Sequence, residues 1–407
     1  MNCFYKWLSV LLCSGSFFVY GQPVITTYSS SNSPLPFNTV RCIAIQNQFK
    51  WFGTDNGLAR FDGVNWSVYT TENSPLLDDD IRAVCVENDT IVWIGTVQGG
   101  LYSFDGLNWE NYTPTNSGLP DYLVRGIAID TENNIWCATS EGIAMFDHVN
   151  WYTWDVLSHN LLTNNITSIA IGQQNEKFIG TINGGLNYFS SDNQLTILSI
   201  VQSGLPDNSA LGIVVDATNH PWYATPAQGL VYDQGFGGPW LRFNMSNSPL
   251  PTNGINAIAI DENQSIFMGT DSYGVLIKNE DNWIQYSTEN TDLPENHILS
   301  IATESTTVKW LGTYNSGVVR IEEDQSELFE NTSNSYVYPT SLKAGDFIFI
   351  SSPVSDKKIF VYNQLGQPIN GFDLNDSQSI KTSSSCLPGM YYLKVPSINK
   401  IIRFIIE

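Results

Sequence analysis

Apolar and polar residues in this chain alternate over short stretches, and each stretch is closed by a turn rich in glycine, asparagine, aspartate or serine. Residues 40–45, 81–86, 124–129, 166–171 and 255–260 are such stretches, too short for helices and spaced for β-strands. Each is followed by a second strand pattern such as 51–54, then by a glycine-containing turn and a third such as 58–61 or 101–104. A fourth comes last, at 66–69, 109–112, 151–154, 195–198, 240–243 and 283–286, and it is aromatic or bulky. The phrase Trp51-Phe-Gly-Thr-Asp-Asn-Gly-Leu-Ala-Arg-Phe-Asp-Gly returns from Trp93, Trp136, Phe178, Trp222, Phe267 and Trp310, at steps of 42, 43, 42, 44, 45 and 43 residues. A period of that length with four short strands per unit predicts an all-β, seven-bladed β-propeller.

The first strand of each unit has two apolar faces. One carries Ile43 and Ile45, Val84 and Val86, Ile127 and Ile129; the other carries Cys42 and Ala44, Ala83 and Cys85, Gly126 and Ala128. Both must be covered, so these are inner strands, with a large face packed on the small face of the next blade. The glycines at 57, 100, 142, 185, 229, 274 and 317 fall where the turn between second and third strands demands positive φ or close approach. Six fourth strands serve seven units, and the missing one lies at residues 24–28. These precede Ser29-Ser-Ser-Asn-Ser-Pro-Leu-Pro, a connector that also follows fourth strands at 246–251 and, shortened, at 117–120 and 203–206. The N-terminal strand is therefore expected to complete the seventh blade and close the ring.

The segments at 51–63 and 93–106 resemble the two-component regulator propeller repeat, and the resemblance runs from residue 23 to about 325. In that family the repeats usually form the periplasmic sensor half of hybrid histidine kinases. This sequence shows neither a membrane span nor signalling domains, so the resemblance implies ligand sensing by the propeller at most, and not kinase activity.

The repeat stops after Glu323, and residues 22–330 are taken as the propeller. Residues 336–407 carry a different pattern of short strands and turns, read as a small C-terminal β-sandwich. Val361-Tyr-Asn-Gln-Leu-Gly-Gln and Leu387-Pro-Gly-Met-Tyr-Tyr-Leu-Lys-Val resemble the C-terminal sorting domain of the type IX secretion system, although Pro339-Thr-Ser stands where Pro-Asn-Pro is usual. This resemblance implies the type IX secretion machinery as a partner and a Bacteroidota-type cell as the source.

Residues 1–21, with Lys6 ahead of an apolar run, read as a signal peptide with Gln22 as the mature start. Export to the cell surface or the outside is thus expected, with no transmembrane segment in the mature protein. Forty acidic against eighteen basic residues give a net charge of −22, which opposes nucleic acid and anionic membranes as partners. Cys42, Cys85, Cys137 and Cys386 remain after export; Cys42 and Cys85 belong to different blades and are read as small packing residues, not a disulfide.

Candidate chemistry is sparse. The histidines, at 148, 159, 220 and 297, show no metal-ligand spacing, so no cofactor, metal or catalytic residue is assigned. Asp62, Asp105 and Asp147 recur before the fourth strand and read as turn-capping side chains rather than glycosidase carboxylates. Asp130 and Asp261 sit in hairpin turns whose spacing also suits calcium. One departure from the repeat stands out: the second inner-strand position is Arg41, Arg82 and Arg125 in three consecutive blades, then Thr167, Leu211, Asn256 and Leu299. The neighbouring turns bring Asp55, Asn56, Gln98, Glu141, Asn183, Gln228, Asp271, Tyr273, Tyr314 and Asn315 to the same end. Arg41, Arg82, Arg125, Asn56, Gln98, Glu141, Asn183, Gln228, Tyr273 and Tyr314 form the candidate ligand site, for a carbohydrate or small anion. The competing reading pairs the arginines with nearby carboxylates or carbonyls. The expected function is a non-catalytic surface module for a ligand or protein partner; the alternatives are a polysaccharide lyase or glycosidase, or a structural adhesin.

Overall fold

The computed structural model describes residues 23–323 except 236, 237 and 281, together with the course of short strands between 337 and 406. Residues 22–323 form one compact unit. It consists of seven four-stranded antiparallel sheets, each a blade. Blade 1 runs Val40–Gln46, Phe49–Thr54, Gly57–Phe61 and Trp66–Tyr69 in spatial as in chain order, and blades 2 to 6 repeat that order. Blade 7 takes Ile298–Thr303, Val308–Thr313 and Val318–Glu322 from the end of the repeats and its outer strand, Val24–Tyr28, from their beginning. The ring therefore closes by pairing Val24 with Glu322 through to Tyr28 with Val318. Inner strands contact their neighbours in succession, and that of blade 7 contacts that of blade 1.

The core is a set of clusters lying between blades. Cys42 and Ala44 of blade 1 share a cluster with Val84 and Val86 of blade 2, the small face against the large. Tyr28 packs beside Trp310 of blade 7 and beside Phe61 and Trp66 of blade 1, so the closing strand contributes to both sides of the junction. Each connector between blades buries a leucine: Leu35, Leu76, Leu119, Leu161, Leu205, Leu250 and Leu293.

Close approach of blades explains the glycine in Trp-x-Gly-Thr. Gly53 pairs with Cys42, Gly95 with Ala83, Gly180 with Ser168, Gly269 with Ala257 and Gly312 with Ser300. In blades 3 and 5 the pair is inverted, Ala138 facing Gly126 and Ala224 facing Gly212. Every such pair has one glycine and one small side chain. A Cβ on Gly95 would lie 2.6 Å from the Val124 carbonyl oxygen of the next blade, too close for any real contact.

The threonine that follows is buried in all seven repeats. Thr54, Thr96, Thr139, Thr181, Thr225, Thr270 and Thr313 donate Oγ1–H to the carbonyls of Gly57, Gly100, Gly142, Gly185, Gly229, Gly274 and Gly317, at 2.7–3.1 Å. The same glycines have positive φ, between 74° and 122°. Their N–H groups donate to the connector entering the next blade, as Gly57 does to Asp79 and Gly317 to Asn38. Turn and connector are thereby tied at one end of the ring.

At the other end three lysines reach backward across blade junctions. Lys50 meets Glu304 at 2.6 Å, Lys177 meets Asp130 at 3.5 Å and Lys309 meets Asp261 at 3.4 Å. Lys177 and Lys309 are fully buried, and each ammonium also lies over a ring of the preceding blade, Trp136 and Phe267 respectively. Charges so far out of water persist only when paired.

Beyond 323 the described strands pair into two four-stranded sheets, among them Phe347–Ile350, Phe360–Asn363, Gly389–Val395 and Lys400–Ile406. Packing of these sheets as a sandwich, the sorting-domain resemblance, Cys386 and the signal peptide all lie outside the described residues. The inner strand of blade 6 starts at Ala257 and not at residue 255, because the N–H groups of Ile255 and Asn256 donate to Thr225 and Gly269 before the regular ladder begins.

Candidate functional site

The three arginines owe their placement to a break in the ladder. Pairing shifts register between Val40 and Cys42, Ile81 and Ala83, and Val124 and Gly126, so residues 41, 82 and 125 are bulged out of it. A bulge re-aims its side chain. Here it brings Arg41, Arg82 and Arg125 to one cavity of about 410 Å3, walled otherwise by Val97 and Leu123. The cavity opens at the end where connectors and second turns are tied together. Thr167 and Leu299 occupy the same bulged position in blades 4 and 7.

The arginines are not equivalent. Arg41 donates from Nε and Nη2 to both carboxylate oxygens of Asp55, at 2.6 and 2.9 Å, a bidentate pair that raises its pKa. Arg82 donates to Asp80 Oδ2 at 2.7 Å. Burial raises the Asp80 pKa despite that bond, and its second oxygen, Oδ1, is buried without a hydrogen-bond partner among the described residues. Arg125 has no carboxylate partner among the described residues. Its Nη1 donates to Asn165 Oδ1 and, at 3.4 Å, to the Ile166 carbonyl of blade 4. Burial lowers its pKa, Asp121 opposing and Arg82 adding to the effect. All three arginines thus have the kinds of partner the competing reading names, carboxylates at 41 and 82 and a strand-end carbonyl with an amide oxygen at 125, and only Arg125 lacks an ion pair among the described residues.

The remaining candidates stay on the rim or beyond it. Asn56, Gln98, Glu141 and Asn183 lie in the turns between second and third strands, held by their backbone N–H groups to Thr54, Asp78, Thr139 and Ser209, and none lines the cavity. Gln228 accepts from Arg242 at 2.7 Å on the exposed surface. Tyr273 and Tyr314 are exposed, on the opposite side of the ring from Arg125's blade. Tyr314 stacks on His297 with ring centroids 4.8 Å apart, and His297 Nε2 lies 3.1 Å from Asp271 Oδ1. Val97 and Leu123, the apolar walls, were not legible from the repeat; each stands two residues or fewer from a residue that was, Thr96 and Arg125.

The other acidic candidates are occupied locally. Asp62, Asp105 and Asp147 accept from the N–H groups two and three residues ahead, which lowers their pKa values and caps the turn. Asp130 accepts from the N–H groups of Glu132 and Asn134 and from Trp136 Nε1, so its oxygens are committed to the hairpin and the adjoining strand. Asp261 caps its hairpin similarly and faces Lys309. Among the described residues no group of His, Cys, Asp and Glu is arranged to hold a metal ion. Cys42, Cys85 and Cys137 are free thiols, and burial pushes Cys42 and Cys85 to about 12, far from thiolate reactivity. No described helix is long and apolar enough to cross a membrane.

No protein-family model and no curated protein matches this sequence. Among solved structures, the extracellular domain of the putative hybrid two component system BT3049 from B. thetaiotaomicron is similar, with TM-score 0.65 and 19% identity over 95% of this chain. PorZ, an essential bacterial surface component of the type-IX secretion system of Porphyromonas gingivalis, is similar with TM-score 0.61 and 17% identity over 91%. The chain spans 57% of the first and 59% of the second. Virginiamycin B lyase from Staphylococcus aureus matches at TM-score 0.60 and 13% identity, with 74% of this chain covering 99% of that one. At these identities the likeness shows a shared propeller fold, found in an extracellular domain of a putative two component system, a secretion-system surface component and a lyase alike.

Proposed function

We propose that this protein is an extracellular, non-catalytic propeller module, exported by the type IX secretion machinery, that binds an anionic ligand in the arginine-lined cavity at the connector end of the ring, hereafter called the channel mouth. The observation that carries the reading is Arg125, a cation with no carboxylate partner among the described residues in a protein of net charge −22, beside Arg41 and Arg82 on one cavity. A guanidinium cannot shed its proton, so a half-buried one gains most from a bound anion. Localisation outside the cell is supported by the N-terminal pattern and by likeness to extracellular and surface propellers. The non-catalytic reading is supported by side chains that spend their acid groups on turns and ion pairs.

The test is thermal unfolding of the full chain against small anions, uronic acids and polysaccharide fragments. A ligand at about 100 times its Kd stabilises the native state by about 2.7 kcal/mol. That gain should vanish in Arg125→Gln; a gain that survives the substitution removes the channel mouth as the site. A protein partner is a second reading, favoured by exposed apolar side chains on the connectors at the same end of the ring. Leu77 is 71% exposed, Leu157 and Val201 92%, and Met245 60%.

A further inference from the structure

Resting on the channel-mouth reading, we infer that the cavity takes a single carboxylate carried on an aliphatic body, and not a polyanion or a sugar acid. The charge count comes first. Asp55 neutralises Arg41 through two bonds, and Asp80 neutralises Arg82 through one. Arg125 is the cation of the cavity wall without an ion pair among the described residues, Asp121 offsetting it only through space, so the complement is at most one negative charge. A second negative charge on the ligand would meet Asp80, whose Oδ1 has no hydrogen-bond partner among the described residues. Asp55, and Asp121 on the Arg125 side, add to that repulsion, since both act on the arginines through space.

Donor geometry points the same way. Arg125 commits Nη1 to Asn165 and Ile166, which leaves Nε and Nη2 for the ligand. Two adjacent guanidinium nitrogens match the two oxygens of a carboxylate.

The walls decide the rest of the ligand. Between the arginines stand Val97 and Leu123, aliphatic side chains that offer hydroxyl groups no partner. A sugar acid would bury hydroxyls against them without hydrogen bonds, a loss that an alkyl chain does not suffer. Aromatic stacking, which would favour a sugar ring, is absent from the wall residues; the exposed tyrosines 273 and 314 are not among them. Branched-chain carboxylic acids and the free C-terminus of an apolar peptide share the required chemistry.

Titration calorimetry on the full chain tests this with 4-methylpentanoate, its amide, acetate, galacturonate and phosphate. 4-Methylpentanoate should bind at least about tenfold more tightly than acetate, galacturonate or phosphate, the scale of discrimination an apolar pocket achieves. The amide should not bind. Arg125→Gln should abolish binding, and Leu123→Ala should weaken 4-methylpentanoate while leaving acetate unchanged. Both variants are accepted only if their unliganded melting matches the parent, with Val97→Ala replacing Leu123→Ala otherwise. Acetylglycyl-leucine against its C-terminal amide then tells a peptide carboxylate from a free acid. Galacturonate or phosphate binding most tightly, through Arg125, overturns this inference and leaves the channel-mouth reading standing. Binding of none of these anions, or binding indifferent to Arg125→Gln, overturns both.

Discussion

Replacing Gly53 by alanine should destabilise the propeller, and removing the Cys42 side chain should restore much of what is lost. A Cβ at 53 would collide with Cys42 Sγ on the paired strand and come within 2.7 Å of Ile81 Cγ2 in the next blade. Both neighbours belong to a packed junction, so Gly53→Ala should cost about 1–3 kcal/mol as overpacking. Cys42→Gly by itself should cost about 1 kcal/mol, for a flexible residue within a strand and a small loss of burial. Independent sites would add; these two should not, because the double variant has the arrangement already present at Gly126 with Ala138 and Gly212 with Ala224. The double variant should be more stable than the sum by about 1 kcal/mol or more, within the range of coupling between contacting residues. Calorimetric melting of the four proteins measures it, at roughly 2–4 °C per kcal/mol for a domain approaching this size. Additivity within about 0.5 kcal/mol would refute the argument that one pair has room for one Cβ.

The buried Lys177 should be needed where Asp130 is charged: Lys177→Met is expected to cost about 3 kcal/mol, and Lys177→Met with Asp130→Asn distinctly less, read by urea denaturation. Thr181→Val removes a hydroxyl that donates to the Gly185 carbonyl and accepts from the Gly184 N–H, and should lower stability by about 1–3 kcal/mol with little change of shape. Deleting residues 23–28 strips the outer strand from blade 7 and should turn a cooperative melt into one with early proteolysis near residues 318–322; unchanged protease resistance would contradict ring closure by that strand. On the acid side, burial opposes ionisation of Asp130 and Asp216, but hydrogen bonds from Trp136 and Asn134, and from Thr218, His220 and Trp222, outweigh it and hold both below the usual carboxylate value. Their stabilisation is present above the unfolded pKa of about 3.9 and is lost as pH falls through the lower folded values. Asp130→Asn and Asp216→Asn should each flatten the melting-temperature profile below about pH 4.

The blade count and the strand exchange were legible because a propeller is a one-dimensional repetition: each unit meets only its neighbours, so its needs recur at a fixed interval. Gly57 and its counterparts, Thr54 and its counterparts, and the connector leucines mark positions that every blade must fill alike. The closing strand could be found at residues 24–28 because its connector is written in the same words as the others. Arg41, Arg82 and Arg125 were visible for the opposite reason, as a departure from the repeat.

What the sequence could not decide was where those departures point and what they meet. The bulge at the second inner-strand position turns three arginines toward one cavity, yet a bulge is a property of paired strands and leaves no mark in one strand alone. Asp55 and Asp80 neutralise their arginines from within the same blade or the connector leading into it, while Arg125 reaches across the junction to Asn165 and the Ile166 carbonyl, partners that are met only when blade 4 stands beside blade 3. The lysines at 50, 177 and 309 look like ordinary surface charges in sequence and become buried pairs only when the preceding blade's hairpin arrives beside them. Local repetition fixes the architecture because backbone bonding and packing between neighbours are short-range; the cavity waits on the assembled ring, because its three arginines, the partners of Arg125 and the buried lysine pairs come from different blades, whereas Asp55 and Asp80 meet their arginines locally.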